Sequence, residues 1–66
     1  MNINQLKQRI QFVYVIRKRK LFLVNQLFLS NDVTQAIKFN TFIAARTYLD
    51  TIYNPFNEYK IIQISI

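Results

Sequence analysis

From Ile10 to Arg17 the chain reads as an extended strand. Ile10, Phe12, Tyr14 and Ile16 fall on one face, and Gln11, Val13, Val15 and Arg17 on the other. Both faces are largely apolar, which predicts a central strand, covered on both sides or by a second subunit. Lys20 to Asn25 makes a second strand, antiparallel to the first across a turn at Lys18-Arg19. No Gly or Asn stands in that turn, so a looser bend than an ideal two-residue loop is expected. Asn25-Gln26 interrupts the pattern before Leu27-Phe28-Leu29, and Ser30-Asn31-Asp32 has turn chemistry. Between Val33 and Phe39, the residues Ala36, Ile37 and Phe39 suggest a short strand leading into a helix, with one helical turn from Asp32 before it.

The helix is expected from about Thr41 to Tyr53, with Asn40 or Thr41 as its N-cap. Phe42, Ala45, Leu49 and Ile52 recur at near-helical spacing with Tyr48 alongside, and the alanines allow close approach to a sheet. Asn54-Pro55 is expected to end it, because proline removes a donor and disfavours α geometry at the residue before it. Glu58 to Ile66 alternates again: Lys60, Ile62, Ile64 and Ile66 point one way, Tyr59, Ile61, Gln63 and Ser65 the other. Residues 1–9 admit three readings: one helical turn, an arm, or an extension of the first strand. The elements together predict a single α+β domain over 1–66, a small antiparallel sheet (hairpin, short strand, C-terminal strand) with one helix packed on one face. The opposite face, with Val13, Val15, Phe22 and Val24, then has no helix to cover it, and these residues with Tyr14 are the expected interface. Phe12, Phe22, Phe39, Phe42 and Leu49 are expected to form the core, with the four tyrosines half exposed.

Composition narrows the chemistry. Sixty-six residues sit near the lower limit for independent folding, and with no cysteine the core must come from packing alone. Half the residues are hydrophobic, a surplus that self-association would cover, so a homodimer is expected. Absent His and Cys exclude Cys/His metal sites, and absent Gly excludes glycine-rich phosphate cradles. The three acids, Asp32, Asp50 and Glu58, are dispersed and read as a turn residue, the helical partner of Arg46, and a strand opener. No catalytic constellation, metal or cofactor is therefore expected. No apolar run approaches the ~20 residues of a membrane span. Met1-Asn2-Ile3-Asn4-Gln5 lacks the layout of a secretory signal, so a cytoplasmic setting is expected.

Charge supplies the one concentrated feature. Nine Lys/Arg against three acids give a net charge of +6, and four of the nine are consecutive: Arg17, Lys18, Arg19 and Lys20 at the hairpin tip. A bland account is a solvated tip that blunts edge-to-edge pairing. A sharper one is an anion-contacting loop in which Arg17 and Arg19 point away from Lys18 and Lys20, with Lys38, Lys60 and Arg46 joining on the outer faces. Aromatic residues near such a patch also suit stacking on single-stranded nucleic acid.

Tyr14-Val15-Ile16, then Ala36-Ile37-Lys38-Phe39-Asn40-Thr41 leading into Ala44-Ala45, then Tyr48-Leu49 and Tyr59-Lys60-Ile61-Ile62 carry a resemblance. Over residues 12–64 the chain resembles small accessory proteins of phages and mobile elements of low-GC Gram-positive bacteria. These motifs are mostly packing positions, so no functional residue transfers. The resemblance implies a non-enzymatic inhibitor of a host defence or replication machine, of which anti-CRISPR proteins acting on Cas nucleases are one kind. Many of those are acidic DNA mimics. A chain at +6 departs from that pattern and would instead touch acidic protein surface, guide RNA or a protein–nucleic-acid junction. The rival expectations are a direct nucleic-acid-binding regulator and a structural subunit of a larger assembly.

Overall fold

The computed structural model describes residues 11–65. Residues 1–9, and the first-strand positions before Gln11, lie outside that range, as does Ile66. Strands β1 (Phe12–Lys18), β2 (Leu21–Asn25) and β3 (Phe28–Ser30) are followed by a 3-10 turn (Val33–Gln35), helix α1 (Phe42–Leu49) and strand β4 (Tyr59–Ser65). The described strands form one antiparallel sheet in the order β3-β2-β1-β4, with α1 packed against it. The α+β architecture expected from the residue pattern is the architecture observed.

β1 is central, as its doubly apolar pattern requires. Val15 and Ile16, adjacent positions facing opposite sides, are both fully buried. β4 pairs with β1 along its whole length, Phe12 opposite Ser65 through Lys18 opposite Tyr59. β2 pairs with β1 only at the tip, through Arg17↔Phe22 and Lys18↔Leu21. Below the tip the two strands part, and the segment from Ile37 to Phe39 uses the freed backbone groups. The Ile37 N–H donates to the Leu23 carbonyl at 3.0 Å. Tyr14 and Phe39 exchange both backbone bonds, at 2.8 and 2.9 Å. Orphaned N–H and C=O groups of a buried strand are costly, and this segment supplies partners that β2 does not. The short strand expected at 36–39 is thus a single bridge, while Phe28–Ser30 is the true third strand.

The hairpin bend is tighter than expected. Lys18 faces Leu21, which leaves a two-residue loop, Arg19-Lys20, in which Arg19 takes φ 57. Arginine in the left-handed region replaces the glycine or asparagine usual there and carries the steric cost of its Cβ.

The 3-10 turn is capped by Asp32, whose Oδ1 accepts from Thr34 N at 3.0 Å and Thr34 Oγ1 at 2.7 Å. Thr41 caps α1, its Oγ1 accepting from Ala44 N at 3.1 Å. The helix stops at Leu49, short of the expected Tyr53. The chain tightens there to i→i+3 bonds, Thr51 N to Tyr48 O and Ile52 N to Leu49 O, and the Thr51 hydroxyl also takes the Tyr48 carbonyl. Arg46 and Asp50 make the expected helical ion pair at 3.2 Å.

The core under α1 is aliphatic: Ile16, Leu23 and Leu49, with Leu29, Phe39, Tyr48, Ile52, Tyr59 and Ile61 packed around them. Ala45 is fully buried, which lets the helix sit close to the sheet. The aromatic core is corrected accordingly. Phe39 and Leu49 belong to it, but Phe12 and Phe42 are each half exposed; Phe12 stands at a strand end and Phe42 at the first helical position, where packing is incomplete. Phe42 meets Tyr14 edge-on, with centroids 6.0 Å apart.

The expected interface also changes. Val13 and Val15 are 5% and 0% exposed, so neither offers surface to a partner. Phe22 and Val24 are half-buried. Tyr14 lies on the helix side, against Phe42.

Candidate anion-binding end of the molecule

Strand alternation and register decide where the four consecutive cations go. Lys18 follows Ile16 onto the helix side, and its Nζ lies 5.2 Å from the centre of the Tyr59 ring, its cross-strand partner. Arg17 points to the opposite side, in register with Lys60 of β4 and Phe22 of β2. Both Arg17 and Lys60 are exposed. Like charges directly opposite on neighbouring strands repel, so this pair concentrates positive charge at a cost to the fold.

The run does not act as one unit. Glu58 reaches two of its members: Lys18 Nζ to Oε1 at 3.6 Å and Arg19 Nη2 to Oε2 at 3.8 Å. The expected alternation holds for Arg17 against Lys18, but Arg19 leans with Lys18 toward Glu58, because the bend after β1 breaks the strand alternation. Exposed ion pairs at these distances are worth about 0–1 kcal/mol each. Arg19, with its side chain 80% exposed, is held weakly. Arg17, Lys20 and Lys60 make no ion pair with a carboxylate of the described residues. Four cations against one carboxylate leave a formal excess of three positive charges at the tip.

Lys38 is corrected out of the set. Its Nζ donates to the carbonyls of Ala36 at 2.9 Å, Thr34 at 3.0 Å and Val33 at 3.3 Å, which uses all three ammonium donors on the chain's own backbone.

Sequence reasoning missed the neighbour of the tip. Between α1 and β4, Asn57 N donates to Asn54 O at 3.2 Å and closes a turn with Pro55 at its second position and Asn57 at φ 56. The Asn54 side chain fastens this turn to β4, accepting from Tyr59 N at 3.1 Å and donating to Tyr59 O at 3.3 Å. The turn holds Phe56 at 81% exposure and follows Tyr53, at 86%. Together with Lys18, Pro55, Glu58 and Tyr59 they border an open cleft of about 340 Å³. An exposed aromatic beside a proline turn is the sequence signal that was available.

The three acids are all engaged. Thr34, through its hydroxyl and its N–H, holds the Asp32 carboxyl below its usual value, with a smaller contribution from nearby Lys38. Asp50 pairs with Arg46, and Glu58 with Lys18 and Arg19. Among the described residues no group of three metal-ligating side chains gathers, and no helix is long and apolar enough to cross a membrane. Compared with family models, curated proteins and solved structures, the chain matches none.

Proposed function

We propose that the protein is a non-enzymatic binding domain that docks on an anionic surface through the hairpin tip and the adjoining end of β4. The observation that carries this reading is the cross-strand pair Arg17–Lys60, both exposed, with Lys20 on the adjoining loop and, among the described residues, no acid set against any of the three. Repulsion held in the free protein is relieved when phosphates or carboxylates arrive, so it favours the bound state. The engagement of all three acids in local contacts supports a binding role over a catalytic one.

Within this class we adopt the role that the phage-protein resemblance implies, an inhibitor of a host protein or protein–nucleic-acid complex such as a Cas nuclease with its guide. The test has two arms. Retention on an anionic matrix should fall steeply with added salt, and Arg17→Gln/Lys20→Gln/Lys60→Gln should elute at markedly lower salt. In the second arm, native protein titrated into guide-loaded Cas nucleases should suppress cleavage, and the triple variant should need at least ~10-fold more protein to do so. Equal retention of native and variant protein overturns the anionic docking. Unimpaired cleavage by every nuclease overturns the inhibitor role.

A further inference from the structure

The cleft beside the tip is built differently from the basic pair on the opposite side of the sheet. Tyr53 and Phe56 expose most of their ring surface, although burial of apolar surface is the main favourable term in folding. They are not loose ends. The Pro55 turn is closed by its own backbone bond, and Asn54 clamps it to β4 through both polar atoms of its side chain. Two aromatic rings are thus presented to solvent on a fixed support. Lys18 lies in the same cleft, and Arg19 joins it through the shared carboxylate Glu58.

We propose that this cleft binds single-stranded nucleic acid, with bases stacked on Tyr53 and Phe56 and the backbone phosphates on Arg19 and Lys18. The inference rests on the anion-binding reading above and names the partner for a distinct surface. Flat exposed rings next to cations match the two faces of an unpaired nucleotide, one π-rich and one anionic. A duplex keeps its bases stacked away from such rings. α1 is also unsuited to a major groove, since it carries one cation, Arg46, whose charge Asp50 balances. Glu58 acts as a placeholder. Its contact to Arg19 at 3.8 Å is long for an ion pair, and an incoming phosphate takes over the guanidinium with better geometry.

Fluorescence anisotropy with a labelled oligothymidylate of about 12 nucleotides tests this. Tyr53→Ala/Phe56→Ala should weaken binding at least ~10-fold, since each stacked base contributes about 1–3 kcal/mol. Both rings are exposed, so the variant keeps its fold, which circular dichroism checks. Ile43→Ala, another exposed apolar site, should bind as the native chain does. A duplex of equal length should bind more weakly. Undiminished binding by the aromatic variant overturns the cleft assignment, and so does an acidic peptide of equal charge that competes as well as the oligonucleotide. The anion-binding reading is judged separately, by the Arg17/Lys20/Lys60 variant, so the two can fail independently.

Discussion

Asp32 shows how much one side chain does in a chain without glycine or disulfides. Its carboxylate caps the 3-10 turn through Thr34, and those bonds hold its pKa below the ordinary 3.8. The folded chain therefore releases this proton more readily than the unfolded one. The associated stabilisation is complete above the ordinary carboxylate value and is lost as pH falls through the lower, folded-state value. Comparing urea midpoints at neutral and acidic pH, the native chain should lose more stability on acidification than Asp32→Asn, which keeps an acceptor but no titrating charge. At this scale the sequence was only partly legible. Asp32 as a turn residue and Arg46–Asp50 as a pair follow from local spacing. The Glu58 contacts to Lys18 and Arg19 depend on β4 lying beside β1, a long-range pairing that no local pattern encodes.

The elements follow from periodicity where one face is buried and fail to follow where termini compete. β1, β4 and the start of α1 were legible because alternation and the Thr41 cap are strong local signals. The end of α1 was not, since Thr51 and Ile52 tighten the chain before Pro55 can act. β3 was missed as the third strand because Phe28–Ser30 is three residues long and bends at an irregular register with β2. Thr41 supplies a test here. Thr41→Ala removes the hydroxyl that accepts from Ala44 N and should cost about 1 kcal/mol in denaturant unfolding. That matters in a domain whose whole stability is about 3–10 kcal/mol at ordinary per-residue values. Thr41→Ser should recover most of the loss.

Over the described residues, Tyr53, Phe56 and the basic pair occupy one end, while α1 and the sheet bury an aliphatic core at the centre. The apolar surplus read from composition does not lie on Val13 and Val15. Among the described residues, β4 instead has a strand partner on one side only, and it carries a single charge, Lys60, with no proline or register irregularity in its pairing with β1. Such an edge invites a further strand. We propose that the homodimer expected from composition, if it forms, pairs β4 against β4 of a second copy. Sedimentation equilibrium should then read twice the 8.0 kDa chain mass at high concentration. Gln63→Lys, at an exposed position on that strand, should return the monomer. A single 8.0 kDa species from the native chain at every concentration would dismiss the pairing.

The ammonium of Lys38 sits inside a ring of three carbonyl oxygens, much as a small metal ion would if it were tied to the chain by four methylenes. Charge spent in this way is masonry. It joins the loop after β3 to the strip that fills the gap between β1 and β2, and its donors are committed there although the side chain stands exposed. The set of free donors that another macromolecule meets is therefore smaller than a tally of basic letters suggests.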